Sequence, residues 1–122
     1  MSHLQAAADW TTGTEAISFQ CCRVCHQVQY FRRAFCAACG ASELDERSAS
    51  GEGTVYATSI VLRAGTPEAR AHVPYNIVLV DTAEGFRMMA HGDIDLVIGD
   101  KVKASYRQFT GHLVPFFERI SS

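Results

Sequence analysis

The alternation of hydrophobic and polar positions changes its rhythm along this chain. Near the N-terminus Leu4, Ala6-Ala7-Ala8 and Trp10 have the composition of a short helix over residues 3 to about 16, weakened from Thr11 onward by threonines and Gly13. Trp10, the single tryptophan, must pack either on its own domain or on a partner. From Ile17 the period becomes two: Ile17, Phe19 and Cys21 alternate with Ser18, Gln20 and Cys22, which marks a strand with one buried face. A second short strand, Val28-Gln29-Tyr30-Phe31, runs toward Arg32 and Arg33. With Arg23 these two make a small basic patch, offset by Glu43, Asp45 and Glu46 in the segment that follows.

Small residues and two glycines between Ser48 and Gly53 read as a hinge, and beyond it the pattern is β throughout. Thr54 to Leu62 is long, β-branched and aromatic, as expected of a strand that curves through both layers of a barrel. After a loop over residues 64–74, Tyr75 to Asp81 and Phe86 to His91 form two strands joined across Thr82-Ala83-Glu84-Gly85, where Gly85 can take a positive φ. Leu96 to Asp100 turns into Lys101 to Phe109, in which Val102, Ala104 and Tyr106 alternate with Lys103, Ser105 and Arg107. The last strand is Leu113 to Ile120, and Pro115 marks it as an edge or the site of a bulge. Five strands without a long helical pattern between them predict a small Greek-key barrel of the OB type.

The strongest chemical pattern lies between the strands of the first segment. Cys22-Arg23-Val24-Cys25 and Cys36-Ala37-Ala38-Cys39 are two Cys-x-x-Cys pairs separated by ten residues. Each pair can fold as a knuckle whose N–H groups point at its sulfurs, so four thiolates come within reach of one tetrahedral ion. Two-residue gaps favour metal over disulfides, and redox chemistry would want one pair in a βαβ setting. Four protein ligands leave no open position, which points to structural zinc, with iron in the same ligand set as the alternative. Cys21 is the leftover thiol: used in place of Cys22 it would leave three intervening residues and spoil the symmetry of the knuckles. The predicted fold class is therefore mainly β, with an N-terminal helical segment over 1–17, a zinc ribbon over 18–47 and a five-stranded OB barrel over 48–122.

Composition narrows the function classes. With 48% hydrophobic and 20% charged residues the chain belongs with soluble globular proteins. No basic start followed by an apolar core opens it and no run is long enough to span a bilayer, so a cytoplasmic protein with reduced thiols is expected. A formal net charge of −2 is the wrong sign for a chain that lives on phosphate backbones. Nine of the eleven basic residues are arginine, suited to planar contacts with carboxylates or phosphates.

The order of short motifs resembles a known family. Trp10-Thr11-Thr12-Gly13, then Phe19-Gln20, the two Cys pairs, Gly53-Thr54-Val55-Tyr56, Pro74-Tyr75, Val80-Asp81, Glu84-Gly85, Ile98-Gly99-Asp100 with Val102, and a final Pro115-x-Phe117 are similar to the zinc-ribbon and OB-fold proteins of acyl-CoA and lipid metabolism catalogued as domain of unknown function thirty-five. The resemblance spans about residues 9 to 120. It implies a rubredoxin-like ribbon with Cys22, Cys25, Cys36 and Cys39 as ligands, an OB barrel, and an accessory role beside a thiolase-like enzyme that handles acyl-CoA. Two positions depart from the family pattern: Cys21 stands where a basic residue is common, and His26 follows Cys25 where glycine is common.

These residues are compatible with three functions. The first is a non-catalytic scaffold subunit that binds a thiolase-like enzyme and helps hold acyl-CoA through Arg23, Arg32 and Arg33 near the ribbon and Arg63, Arg70 and His72 in the long loop. The alternative is a single-stranded nucleic-acid module stacking bases on Tyr56, Tyr75, Phe86 and Phe109, disfavoured by the acidic balance. The third is independent catalysis by His72, His91 and Asp93, for which no partnered nucleophile is visible.

Overall fold

The computed structural model describes residues 8–120. Leu4, Ala6 and Ala7 of the expected N-terminal helix lie outside the described residues. Its described part is one 3-10 turn, Trp10–Thr12, started by Asp9 and ended by Gly13 at φ 90°. The side chain of Asp9 accepts from the Thr11 N–H at 3.0 Å and from the Ser18 hydroxyl at 2.7 Å, which ties the turn to the first strand. Trp10 packs on its own chain, its indole N–H donating to the Tyr30 hydroxyl at 3.0 Å.

Three strands form the ribbon sheet: β1 (Ser18–Cys22), β2 (Val28–Gln29) and β3 (Leu44–Ser48), in the order β2-β1-β3. The third has no strand pattern in the sequence, where Glu43, Asp45 and Glu46 mark it only as acidic. It pairs antiparallel with β1 along its whole length, from Ser18 opposite Ser48 to Cys22 opposite Leu44. Its side chains do not alternate apolar and polar because ion pairs, not a hydrophobic face, hold it: Asp45 meets Arg23 and Glu46 meets Arg32.

β1 is buried on both faces, and its alternation explains why. Ile17, Phe19 and Cys21 join the hydrophobic core. Ser18, Gln20 and Cys22 face the ribbon, where the Gln20 amide donates to Glu46 at 2.9 Å and to the Arg33 carbonyl at 3.0 Å, while its oxygen accepts from Gln29 at 2.7 Å and from the Arg33 N–H at 2.9 Å. A buried amide with both ends satisfied costs little to bury and pins three segments together.

The barrel comprises β4 (Glu52–Val61), β5 (Tyr75–Thr82), β6 (Arg87–Gly92), β7 (Lys101–Phe109) and β8 (His112–Arg119), closed in the order β4-β5-β6-β8-β7. This is the five-stranded OB topology expected, with a helical turn α1 (Pro67–Arg70) inside the loop over residues 64–74. β4 shifts register between Val55 and Ala57. Before that bulge it closes the barrel on β7, and beyond it pairs with β5 alone, so one strand serves two layers. Pro115 is buried between neighbours rather than on an open edge. It faces Tyr106 of β7, and the parallel pairing of β8 with β6 begins one residue later at Phe116, so on the β6 side its missing N–H falls outside the ladder.

One core joins ribbon and barrel. Phe19 and Tyr30 of the ribbon pack on Phe86 of the barrel, with ring centroids 5.1 and 5.3 Å away and the Tyr30 and Phe86 planes within 5° of parallel. Beneath them Val55, Val78, Val80, Met88, Val102 and Phe117 fill the interior. Among the described residues no helix is long and apolar enough to cross a membrane.

Candidate metal centre and barrel cleft

The four cysteines of the two pairs come together at one end of the ribbon. Cys22 ends β1, and the knuckle after it is closed by N–H groups of Val24 and Cys25 aimed at the Cys22 Sγ, at 3.3 and 3.5 Å. The second knuckle repeats this: the Ala38 N–H points at the Cys36 Sγ at 3.3 Å. In each the residue after the second cysteine donates back to the first cysteine's carbonyl, His26 to Cys22 at 3.0 Å and Gly40 to Cys36 at 2.9 Å. That bond needs a left-handed residue, and His26 (φ 66°) and Gly40 (φ 81°) supply it. His26 thus stands where glycine would be unstrained.

The four sulfurs lie within 4.8 Å of one another, with Cys22 to Cys39 and Cys25 to Cys36 each at 3.6 Å. Disulfides require about 2.05 Å, so these sulfurs are not bonded. A tetrahedron with bonds of about 2.3 Å has edges of about 3.8 Å, close to what is seen, so the set can hold a metal ion and is compatible with zinc. Without a cation the sulfurs share charge poorly. The Cys39 and Ala38 N–H groups draw Cys36 down to about 6, against the effect of burial. Cys25, although it accepts from the Gln27 N–H, is pushed up to about 12 by burial and the other three sulfurs. A divalent cation relieves that competition by letting all four sulfurs be thiolates. Cys21 is buried in the hydrophobic core, outside this group.

The arginines near the ribbon are largely engaged. Arg23 pairs with Asp45 at 2.7 Å, and Arg32 pairs with Glu46 at 3.0 Å and also donates to Ser18 at 3.1 Å. Arg33 is exposed and lines a small cleft with Arg32. In the long loop Arg63 and Arg70 are exposed, and Arg70 reaches back to the Ala64 carbonyl at 3.4 Å. His72 lies elsewhere, in a second cleft, so the six candidate residues form no single cavity among the described residues.

That second cleft, of about 340 Å³, lies on the outer face of the barrel. Tyr75 of β5, His91 of β6 and Phe109 of β7 form a triangle with ring centroids 5.3, 4.4 and 5.0 Å apart, and His72 adds its ring 4.6 Å from Phe109. Burial, with the neighbouring His72 charge behind it, lowers the pKa of His91 below its ordinary 6.5. Asp93 does not orient either histidine: among the described residues no hydrogen bond joins them, and Asp93 is held by its backbone to Asn76 and Phe117. Of the other aromatics considered, Phe86 is buried in the core and Tyr56 lies under the Arg87 guanidinium at 3.5 Å. Sequence reasoning named His72, Tyr75, His91 and Phe109 under separate functions and missed that they meet.

Residues 46–107 match the family described as ChsH2, C-terminal OB-fold domain. Among solved structures, the protein described as "Ltp2-ChsH2(DUF35) aldolase" is similar over 85% of this chain and 84% of its own, at 23% identity and a TM-score of 0.73. A DUF35 family protein of unknown function from Sulfolobus solfataricus is similar over 86% of this chain and 76% of its own, at 14% identity and a TM-score of 0.62.

Proposed function

Because the chain belongs to the family of the ChsH2 C-terminal OB-fold domain, we propose that it is a non-catalytic accessory subunit that binds a thiolase-like or aldolase enzyme and helps hold acyl-CoA. The membership in the group of domain of unknown function thirty-five expected from sequence agrees with both structural likenesses. The observation that carries the proposal is the likeness, along most of both chains, to the protein described as "Ltp2-ChsH2(DUF35) aldolase". The site chemistry supports it. Cys22, Cys25, Cys36 and Cys39 make a closed four-sulfur set, in which zinc would hold together the two knuckles of the ribbon over 18–47, beside the barrel over 48–122, and leave no position for substrate.

Charge pairing disfavours the nucleic-acid alternative. Six of the nine arginines, Arg23, Arg32, Arg47, Arg87, Arg107 and Arg119, are paired with carboxylates, which leaves no basic stripe among the described residues to follow a phosphate backbone.

The test is affinity purification of the tagged full chain from its own cells in reducing buffer, with mass identification of partners and metal analysis of the eluate. A thiolase-like or aldolase enzyme in stoichiometric amount, with one zinc per chain, is expected. Recovery without an enzyme overturns the accessory role, and iron in place of zinc overturns the metal.

A further inference from the structure

The aromatic cleft on the barrel is not explained by folding. Along β5 the inward positions are Asn76, Val78 and Val80, and along β6 they are Met88 and Ala90; these fill the barrel. Tyr75 and His91 alternate with them and stand on the outer face, where strands of a closed barrel ordinarily carry polar residues. Phe109 reaches the same spot from the end of β7, just before the β7–β8 turn, and His72 comes from the loop between β4 and β5. Counting barrel strands, this is the face of the second and third, flanked by the first-to-second and fourth-to-fifth loops, where OB barrels take their ligands.

The size and lining narrow the ligand. A volume of about 340 Å³ lies near the lower end of small-molecule sites, roughly 300–1,000 Å³, enough for one ring system with its sugar. The half-buried rings pack on one another at 4.4 to 5.3 Å, so a ligand meets the outer surface of the cluster, where aromatic rings favour a flat π-face. The Asp93 carboxylate on the rim has no hydrogen-bond partner among the described residues and can accept from an exocyclic amine. Arg107, half exposed, seated 3.7 Å over the Phe116 ring and paired with Glu118 at 3.1 Å, is the cation at the mouth, and a phosphate there would compete with that carboxylate for it.

We propose that this cleft seats the base of an amino-purine nucleotide, stacked on Phe109, Tyr75 and His91 with its phosphate toward Arg107. The proposal deepens the acyl-CoA part of the reading above and rests on it only for the source of the base, which can be a soluble nucleotide cofactor or a single strand.

The experiment is a titration of the full, metal-loaded chain with adenosine 5′-monophosphate, followed by NMR of the aromatic side chains, with ribose 5-phosphate and a short oligodeoxyadenylate in parallel. Saturable shifts at Tyr75, His91 and Phe109 with the nucleotide, but not with ribose 5-phosphate, are expected. Phe109→Leu, which keeps apolar bulk, weakens binding by about 5-fold or more, the least that losing one base–aromatic stack predicts, and Phe109→Trp restores it. No saturable shift at millimolar nucleotide, an equal response to ribose 5-phosphate, or unchanged binding in Phe109→Leu overturns the site. Tighter, steeply salt-dependent binding of the oligonucleotide supports the seat and overturns the cofactor as its source. A chain that recovers its enzyme partner but ignores the nucleotide overturns this proposal alone; one that binds the nucleotide but recovers no enzyme overturns the accessory role alone.

Discussion

Phe86→Ala is the perturbation that most directly tests whether ribbon and barrel are one folding unit. Phe86 is 6% exposed and touches the ribbon through Tyr30 and Phe19 at 5.3 and 5.1 Å. Truncating a buried phenylalanine costs about 3–5 kcal/mol, a large part of a small domain's roughly 5–15 kcal/mol. The share that belongs to the ring pairs is separable, because aromatic pairs add about 0.5–1.5 kcal/mol each beyond area burial. Phe86→Leu, which keeps most of the apolar volume, should therefore cost about 1–3 kcal/mol for two pairs. The assay is urea unfolding of the metal-loaded chain, followed by Trp10 fluorescence at the seam and by far-ultraviolet circular dichroism for the sheets. Trp10 reports the seam because its indole is bonded to Tyr30 of the ribbon while its turn lies against β8 of the barrel. Both probes should give one transition, and both midpoints should move down together in each variant. A Phe86→Leu midpoint equal to wild type, or a shift in the Trp10 signal alone, would refute the shared core.

Three further outcomes follow from the local geometry. His26→Gly relieves a left-handed histidine, worth about 1–2 kcal/mol less about 0.4–1 kcal/mol for glycine's freer unfolded chain, and Gly40→Ala introduces the strain; thermal melts should move up or stay for the first and down for the second, and equal signs would contradict the matched knuckles. A Cβ at Gly53 would lie 2.6 Å from the Val80 Cγ1 and 2.7 Å from the Asp81 carbonyl, so Gly53→Ala should destabilise by about 1–3 kcal/mol, and an unchanged melting temperature would refute the close approach of β4 to β5. His91, held neutral by burial and by His72, should titrate below 6.5 by NMR. Since the unfolded chain then binds the proton more readily, stability should fall as pH drops from 6.5 toward the folded pKa, and His91→Gln should flatten that slope; a titration at or above 6.5 would refute it.

The four-cysteine cluster and the barrel were both legible in the sequence because each rests on local spacing. Two-residue gaps between cysteines write the knuckles directly, and the period-two alternation in Val102, Ala104 and Tyr106 writes the inner face of β7. β3 was not legible, since a strand held by Asp45 and Glu46 against arginines 22 and 14 positions earlier has no hydrophobic period. The same pairing makes Arg23 and Arg32 look free in the sequence when they are engaged. The cleft was hidden for a different reason: His72, Tyr75, His91 and Phe109 come from three strands and a loop, and only barrel closure brings them together.

The measurement that bears most directly on the accessory role is acyl-CoA turnover by the isolated chain, by its co-purified enzyme alone, and by the two recombined at equal concentration. The isolated chain should give none, and adding it should raise the turnover of the enzyme. Turnover by the chain alone, or an enzyme indifferent to its addition, would contradict the role proposed for it.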